Sequence, residues 1–393
     1  MTVTEVIQDQ LVAGGPVAAR AAFAADVAAR FAAEVDADAR FPVEAVTALR
    51  STGLLGASVP VELGGEGLTL TELAHVASVL GAACSSTGMV FAMHHSQVLS
   101  LTRHLADSAP LAELVRRIAG EQLLLASATT EIGIGGDVRS STCFVDLRGD
   151  EVTLVKNAPV ISYGSEADLI LVTARRTADS LPGDQVLLVC DRERTLLEAT
   201  GTWDTMGLRG TSSFGYQLSA TTTSDRIVPE PYEAISSETM LPVSHTLWAA
   251  VWLGMSRAAV DTARRYIRAA ARRSIGSIPQ GANTLVGLIA ELEGLESLVA
   301  SASSRFDAIQ DDRDALGAVG FTLSMNNLKV TSSTLVATIV AGALNITGIS
   351  GFRNDGQYSV ARVFRDAQGA ALMVHNDRIT ANSAQLILVQ KGS

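Results

Sequence analysis

Residues 345–379 read NITGISGFRNDGQYSVARVFRDAQGAALMVHNDRI, and the reading of this stretch decides the fold. Its fixed points are Gly348, Gly351 and Phe352, then Tyr358, then Arg365-Asp366-Ala367, and last Val374-His375-Asn376-Asp377. The rest of the chain supplies the context in which that frame has a meaning.

The chain has 393 residues, 47% hydrophobic and 18% charged, enough for two or three domains with a large core. A net charge of -11 argues against a nucleic-acid groove and against an anionic membrane surface as partner. Cys84, Cys143 and Cys190 are odd in number and lack CxxC spacing, so neither a disulfide framework nor a metal site is expected. The N-terminal MTVTEVIQDQ has no basic stretch followed by an apolar core. No apolar run approaches the roughly 18 uninterrupted residues of a membrane span. A cytoplasmic protein is expected.

Three textures follow one another. Residues 1–120 show helical spacing rich in Ala, Leu and Val, as in Pro16–Phe31 and Pro42–Leu54. Residues 121–235 alternate short β-rich runs with polar turns. The clearest strands are Leu169–Thr173, Gln185–Cys190 and Phe214–Leu218, and the block looks antiparallel. Residues 236–393 return to helix, with long segments at Leu247–Arg273 and Thr284–Ile309 and Gly281 in the loop between them. Strands do not alternate with helices, which excludes a βαβ reading. The basic run Ala258–Arg273 could suggest a membrane-surface helix, but a solvated face with buried Ala is the plainer reading in so acidic a chain.

Further motifs run through all three regions. They are Val59-Pro60-Val61-Glu62-Leu63-Gly64-Gly65-Glu66-Gly67-Leu68, Thr130-Glu131-Ile132-Gly133-Ile134-Gly135-Gly136-Asp137, the stretch KNAPVISYGSEAD from Lys156 to Asp168, and Met206-Gly207-Leu208-Arg209-Gly210-Thr211. In this order and spacing, with the C-terminal frame, the chain resembles the acyl-CoA dehydrogenase family. The resemblance implies an α+β, mainly α fold: an N-terminal helical domain, a middle β-barrel-like domain and a C-terminal four-helix bundle. It also implies FAD, and a homotetramer or homodimer, because the family builds its FAD site across a subunit boundary. Carried onto this sequence, it assigns Ser127, Thr129, Thr130, Ile161 and Ser162 to the flavin, with Ser162 beside N5. Arg272, Ser274, Asn345, Gly348 and Asn376 complete the cofactor set, Arg272 as a clamp on the diphosphate of a neighbouring subunit. Gly136, where the family has Ser, and Val374 fall on the substrate. Ile132 stands where the family has Pro, and Val160 where an aromatic residue usually shields the ring.

The catalytic glutamate of the family does not appear. α,β-Dehydrogenation of a thioester needs a base for the α-proton, hydrogen bonds to an enolate-like oxygen, and flavin as hydride acceptor. The backbone N–H of Val374 could still serve the oxygen, but Val374 stands where the Glu belongs. The other position that some members use, on the first helix of the C-terminal domain, holds Ser244. An unreplaced general base costs roughly 10²–10⁴-fold. His375, Asp377 and His245 are the candidate replacements, His375 first, because an imidazole titrates near neutrality. Each has a structural alternative: a core-satisfied or surface histidine, or an Asp377 that caps a helix or pairs with Arg378.

The function expected is therefore FAD-dependent oxidation of the CH–CH bond of an acyl thioester with a non-standard base. The thioester is carried on CoA or on a carrier protein. Gly136, and the lack of a Lys/Arg cluster in the β block, favour the carrier. The sequence names no electron acceptor. Flavin monooxygenases on this fold also lack the Glu and carry His near the flavin. On that alternative one of His94 and His95, in the helical run Gly88–Leu101, would face the site with His375 and Ser162; His95 is assigned to the substrate. Adjacent helical residues point about 100° apart, so only one of the pair can do so. A redox-inactive flavin-binding homologue is the third class, against which the intact flavin-loop motifs argue.

Overall fold

The structure, a computed structural model, describes residues 15–134, 138–273 and 277–389. Helices of eight or more residues are numbered here. The N-terminal group comprises α1 (Val17–Ala37), α2 (Val43–Ser51), α3 (Leu70–Ala83), α4 (Ser85–Thr102) and α5 (Ala109–Glu121). Their starts follow from local chemistry. Pro16 and Pro42 stand at the N-cap positions of α1 and α2, where a missing N–H costs nothing. Thr69 and Glu72 close a capping box on α3, with Thr69 Oγ1 accepting from Glu72 N and Glu72 Oε2 accepting from Thr69 N.

The β block consists of two sheets rather than one meander. β1 (Leu125–Ala128), β4 (Leu169–Arg175) and β5 (Gln185–Asp191) form the first, in the order β1-β4-β5. β2 (Asp146–Arg148), β3 (Glu151–Ile161), β6 (Thr195–Ala199) and β7 (Phe214–Thr223) form the second, in the order β2-β3-β7-β6. The expected antiparallel pairing holds throughout the second sheet, but β1 runs parallel to β4. β4 and β5 are buried along nearly their whole length, whereas β3 alternates buried and exposed residues. The alternation marks a sheet with one solvated face. An irregularity in the β3–β7 pairing between Ala158 and Ile161 re-aims the strand end just before Ser162.

The C-terminal group comprises α6 (Leu241–Arg273), α7 (Ala282–Ile309), α8 (Val319–Thr347), α9 (Ala361–Gln368) and α10 (Asn376–Val389). Helix α6 starts six residues before the sequence suggests, because Pro242 falls in its first turn, where it breaks no hydrogen bond. It is the central helix, packed on α3, α4, α7 and α8. At Gly254 a Cβ would lie 2.1 Å from Ser78 O, so only glycine permits this approach of α3 and α6. The Asp307 carboxylate of α7 accepts from the backbone N–H groups of Leu70 (2.8 Å) and Thr71 (3.0 Å), which fastens the bundle to the positive end of α3. By length and composition α8 is apolar enough to cross a membrane. Here it is a bundle helix whose buried residues include Asn326, Lys329, Ser332 and Ser333. Those polar residues are what interrupt the apolar run in the sequence.

Candidate functional site

The β block contributes a cradle of hydroxyls. Ser127 lies on β1, Thr129 and Thr130 follow it, and Ile161 and Ser162 lie at the end of β3. Thr130 Oγ1 donates to Val160 O at 3.2 Å and Ile132 N to Asn157 O at 2.9 Å, so the two motif segments are laced together. Ser162 Oγ lies 2.8 Å from Ser213 Oγ, Ser213 Oγ 2.8 Å from Thr211 Oγ1, and Thr211 donates to Leu208 O at 2.9 Å. Leu208 O can only accept. The protons of the chain therefore run inward, and Ser162 is left as an acceptor toward the cradle.

Behind the cradle lies a buried ion pair to which the sequence reading assigned no role. Lys156 is fully buried, its Nζ 3.7 Å from Glu131 and donating to Thr173 O at 2.7 Å. Burial lowers the pKa of the lysine. Burial opposes the Glu131 charge, but hydrogen bonds from Thr142 and Cys143 and the Lys156 charge outweigh it and hold the carboxyl below its usual range. The signal was available, since Glu131 and Lys156 each belong to a flavin-loop motif. What the sequence could not show is that the two meet.

On the helical side, Val374 has φ +45° and is part exposed. That conformation is unfavourable for a β-branched residue. Lys329 holds it: the fully buried side chain donates from Nζ to Val374 O at 2.9 Å and to Asn376 Oδ1 at 2.7 Å, and lies 5.9 Å from the Trp252 ring. Burial pushes the Lys329 pKa down to about 8, so the group is mostly charged at neutral pH. Asn376 is gripped a second time by Ser333, to which its Nδ2 donates at 3.1 Å. Lys329 was not singled out in the sequence; an unpaired Lys inside an apolar helix was its only signal.

The three candidate bases differ sharply. The His375 side chain is half exposed, its Nδ1 accepting from Asp377 N at 3.3 Å at the start of α10. The Asp377 carboxylate is 92% exposed. His245 on α6 is buried and donates from Nδ1 to Met325 O at 3.1 Å, and burial lowers its pKa to about 4. Lys329 adds to that shift, and the Met325 carbonyl that His245 bonds lies one turn before Lys329 on α8. At the neighbouring position, Ser244 donates to Ser96 Oγ at 3.1 Å.

The expectation that His95 meets substrate is corrected. Its Nε2 donates to Leu54 O at 2.9 Å and its Nδ1 accepts from Ser58 Oγ at 2.8 Å, leaving no ring nitrogen free. His94 is closed in the same way, by Leu55 O at 2.7 Å and Leu125 N at 3.1 Å. The pair ties α4 to the 54–58 loop and to β1.

The remaining expected residues are not gathered with these. Arg272 lies in the last turn of α6, and Asn345 and Gly348 lie at the end of α8; Ile267 and Ile346, one from each helix, both border Gly281. Asn345 is about 24 Å along α8 from Lys329. Gly136 and Ser274 lie outside the described residues. His104, Glu230 and Glu238 come within 4.8 Å of one another, but Arg313 pairs with both glutamates and the cluster is an ion-pair network.

Helices, two small sheets carrying a hydroxyl cradle, and a helical bundle with a clamped loop define a flavoprotein-type oxidoreductase fold. Residues 17–132 match the description "Acyl-CoA dehydrogenase, N-terminal domain" and residues 235–377 "Acyl-CoA dehydrogenase, C-terminal domain". The chain belongs to the acyl-CoA dehydrogenase family. It is 27% identical over 343 residues to the amino sugar nitrososynthase of Streptomyces peucetius, covering 84% of this chain and 82% of that protein. It is 25% identical over 347 residues to the cyclohex-1-ene-1-carbonyl-CoA dehydrogenase of Syntrophus aciditrophicus, covering 86% and 80%. The FMN-bound dibenzothiophene monooxygenase TdsC of Paenibacillus sp. A11-2 has the same fold, with TM-score 0.84, 17% identity, and 96% and 98% of the two chains covered.

Proposed function

We propose that this chain is a flavin-dependent monooxygenase on the acyl-CoA dehydrogenase fold. It oxidises a nucleophilic heteroatom, an amine nitrogen first, of a small organic substrate. The observation that carries the reading is the missing base. Val374 and Ser244 occupy the two positions where, by resemblance, the family keeps its carboxylate. His245, next to Ser244 on α6, is held neutral by burial, and a base with pKa about 4 takes up a proton poorly at pH 7. The Asp377 carboxylate lies in solvent. Oxidation of a heteroatom requires no α-proton to leave. The amino sugar nitrososynthase relative supports the choice of nitrogen.

The residues present suit a flavin, since the hydroxyl cradle leaves Ser162 as an acceptor, and Val160 and Ile132, on the two segments that build it, are exposed apolar side chains. Bound flavin would supply the redox chemistry, with dioxygen as oxidant and an external reductant. The chain's own part is to hold and to exclude. Ser162 accepts a hydrogen bond at the cradle, which favours a protonated ring nitrogen. Lys329 fixes the Val374–Asn376 loop, and Val374 N–H meets no acceptor among the described residues. His375, half exposed, can pass a proton between site and solvent.

FAD remains the cofactor we assign, its ADP half held by Arg272, Asn345 and Gly348 of a neighbouring copy in a homodimer or homotetramer. The distance of these residues from the loop supports this. So do exposed Val286 on α7 and exposed Ile387 and Leu388 on α10. Arg272→Ala should then weaken FAD and leave FMN binding unchanged; equal loss of both would overturn the assignment. The three cysteines are buried and unpaired, in keeping with a cytoplasmic setting.

A second reading, thioester dehydrogenation with His375 as base, is favoured by the cyclohex-1-ene-1-carbonyl-CoA dehydrogenase relative and the available Val374 N–H. The two part in an anaerobic titration of the oxidised flavin with thioesters, followed by a separate aerobic assay. The proposal expects no bleaching of the oxidised flavin by acyl-CoA or acyl-carrier thioesters, and oxygen consumption with an amine substrate once the flavin is reduced. Bleaching by a thioester alone would overturn it.

A further inference from the structure

A second concave surface shares none of its lining residues with the flavin cradle. It is a groove of about 980 Å³ between α1, α3, the middle of α6 and α9, with the turn before β7 at its edge. That is within the size of small-molecule sites. Its lining carries Arg209, Arg257, Arg265, Arg362 and Arg365 against two carboxylates, Asp36 and Asp261. On a chain of net charge -11 this is a local inversion of sign.

Three of the arginines are committed. Arg365 pairs with Asp36, Arg209 with Asp204 and the Asp36 carbonyl, and Arg257 with Glu296 and Ser78. Asp261 is itself taken by Arg264. Arg265 and Arg362 pair with no carboxylate among the described residues. Arg265 donates only to Thr262 Oγ1, at 3.1 Å. Arg362 donates from Nη2 to Ala83 O at 3.2 Å, while its Nη1 is buried with no partner among the described residues. Asp366, one turn further along α9, is drawn away to the Leu208 N–H at 2.6 Å. A buried donor left without a partner is unfavourable, more so on a charged group, and an incoming oxyanion would relieve it. The opposite wall is apolar: Ala29, Ala33 and Ala37 on one face of α1, with Ala82, all exposed.

We propose that this groove binds an organic diphosphate ester. Arg265 and Arg362 grip its phosphates and the alanine wall carries its organic part. Arginine suits the role because its planar fork gives two parallel bonds to one phosphate. The site is separate from the flavin cradle and does not depend on which oxidation the cradle performs.

The test is calorimetric titration of the flavin-loaded protein with inorganic pyrophosphate and with ADP at low salt. Both should bind, ADP more tightly through the alanine wall, with affinity falling as salt rises. Arg362→Gln and, independently, the exposed Arg265→Gln should each weaken both ligands at least tenfold and leave the flavin absorbance unchanged. Four results would overturn the proposal. One is no binding below millimolar concentration, and another is unchanged affinity in both variants. The third is release of flavin by ADP, which would place the ligand at the cofactor site. The last is a change of oligomeric state in the exposed Arg265→Gln variant, which would make the groove a contact between copies.

Discussion

Two of the regions that carry histidine are treated oppositely by the fold. On α4, His94 and His95 are fully buried and every ring nitrogen is bonded to a neighbouring backbone or hydroxyl group. At the start of α10, His375 is half exposed, and its neighbours Val374 and Asn376 are bonded by a lysine on another helix. The sequence offers the same residue type in both places. The difference teaches that a histidine stays exposed to solvent where another side chain holds the neighbouring backbone, and is buried where its own ring does the holding.

The largest expected effect lies on the sealed side. His94→Ala would leave Leu55 O and Leu125 N without partners, and should cost about 3–4 kcal/mol in urea unfolding. A loss under 1 kcal/mol would break the contrast. Next comes acid. The His94 and His245 pKa values are lowered to about 4 by burial, so between about pH 4 and 6.5 the unfolded chain binds more protons than the folded one. Stability is therefore lost as pH falls through that window, on the order of 3 kcal/mol per histidine. Thermal unfolding against pH should show the loss, and His245→Gln should flatten part of it.

On the open side the effects on stability shrink and those on function grow. Lys329→Met removes both donors to the loop but also a buried charge, so the net loss should be about 1–2 kcal/mol. Faster amide exchange at 374–376 is the sharper readout, and unchanged exchange would show that the loop stands without the lysine. His375→Ala should change stability by less than about 0.5 kcal/mol while raising peroxide release relative to oxygenated product. Full coupling in that variant would move His375 to a capping role only.

Much of the architecture was legible. The three textures, the strands at 169, 185 and 214 and the glycine-punctuated motifs depend on short-range periodicity and turn chemistry, which the chain writes locally. The parallel pairing of β1 with β4 was not, since strand direction is set by which edges meet across some forty residues. Ser162 was legible as part of a motif; its orientation as an acceptor was not, because that is fixed by Thr211, Ser213 and the Leu208 carbonyl.

The sequence alone determined the family frame, the absence of a carboxylate at Val374 and Ser244, and the need for another kind of chemistry or another base. Only the tertiary structure decided which histidines are sealed in the core and which stays exposed. Burial and partners are long-range properties: Leu54 and Ser58 close His95 from outside its helix, and Lys329 reaches the loop from α8. The energy of a polar group is set by what surrounds it in space, and the order of residues along the chain does not state that.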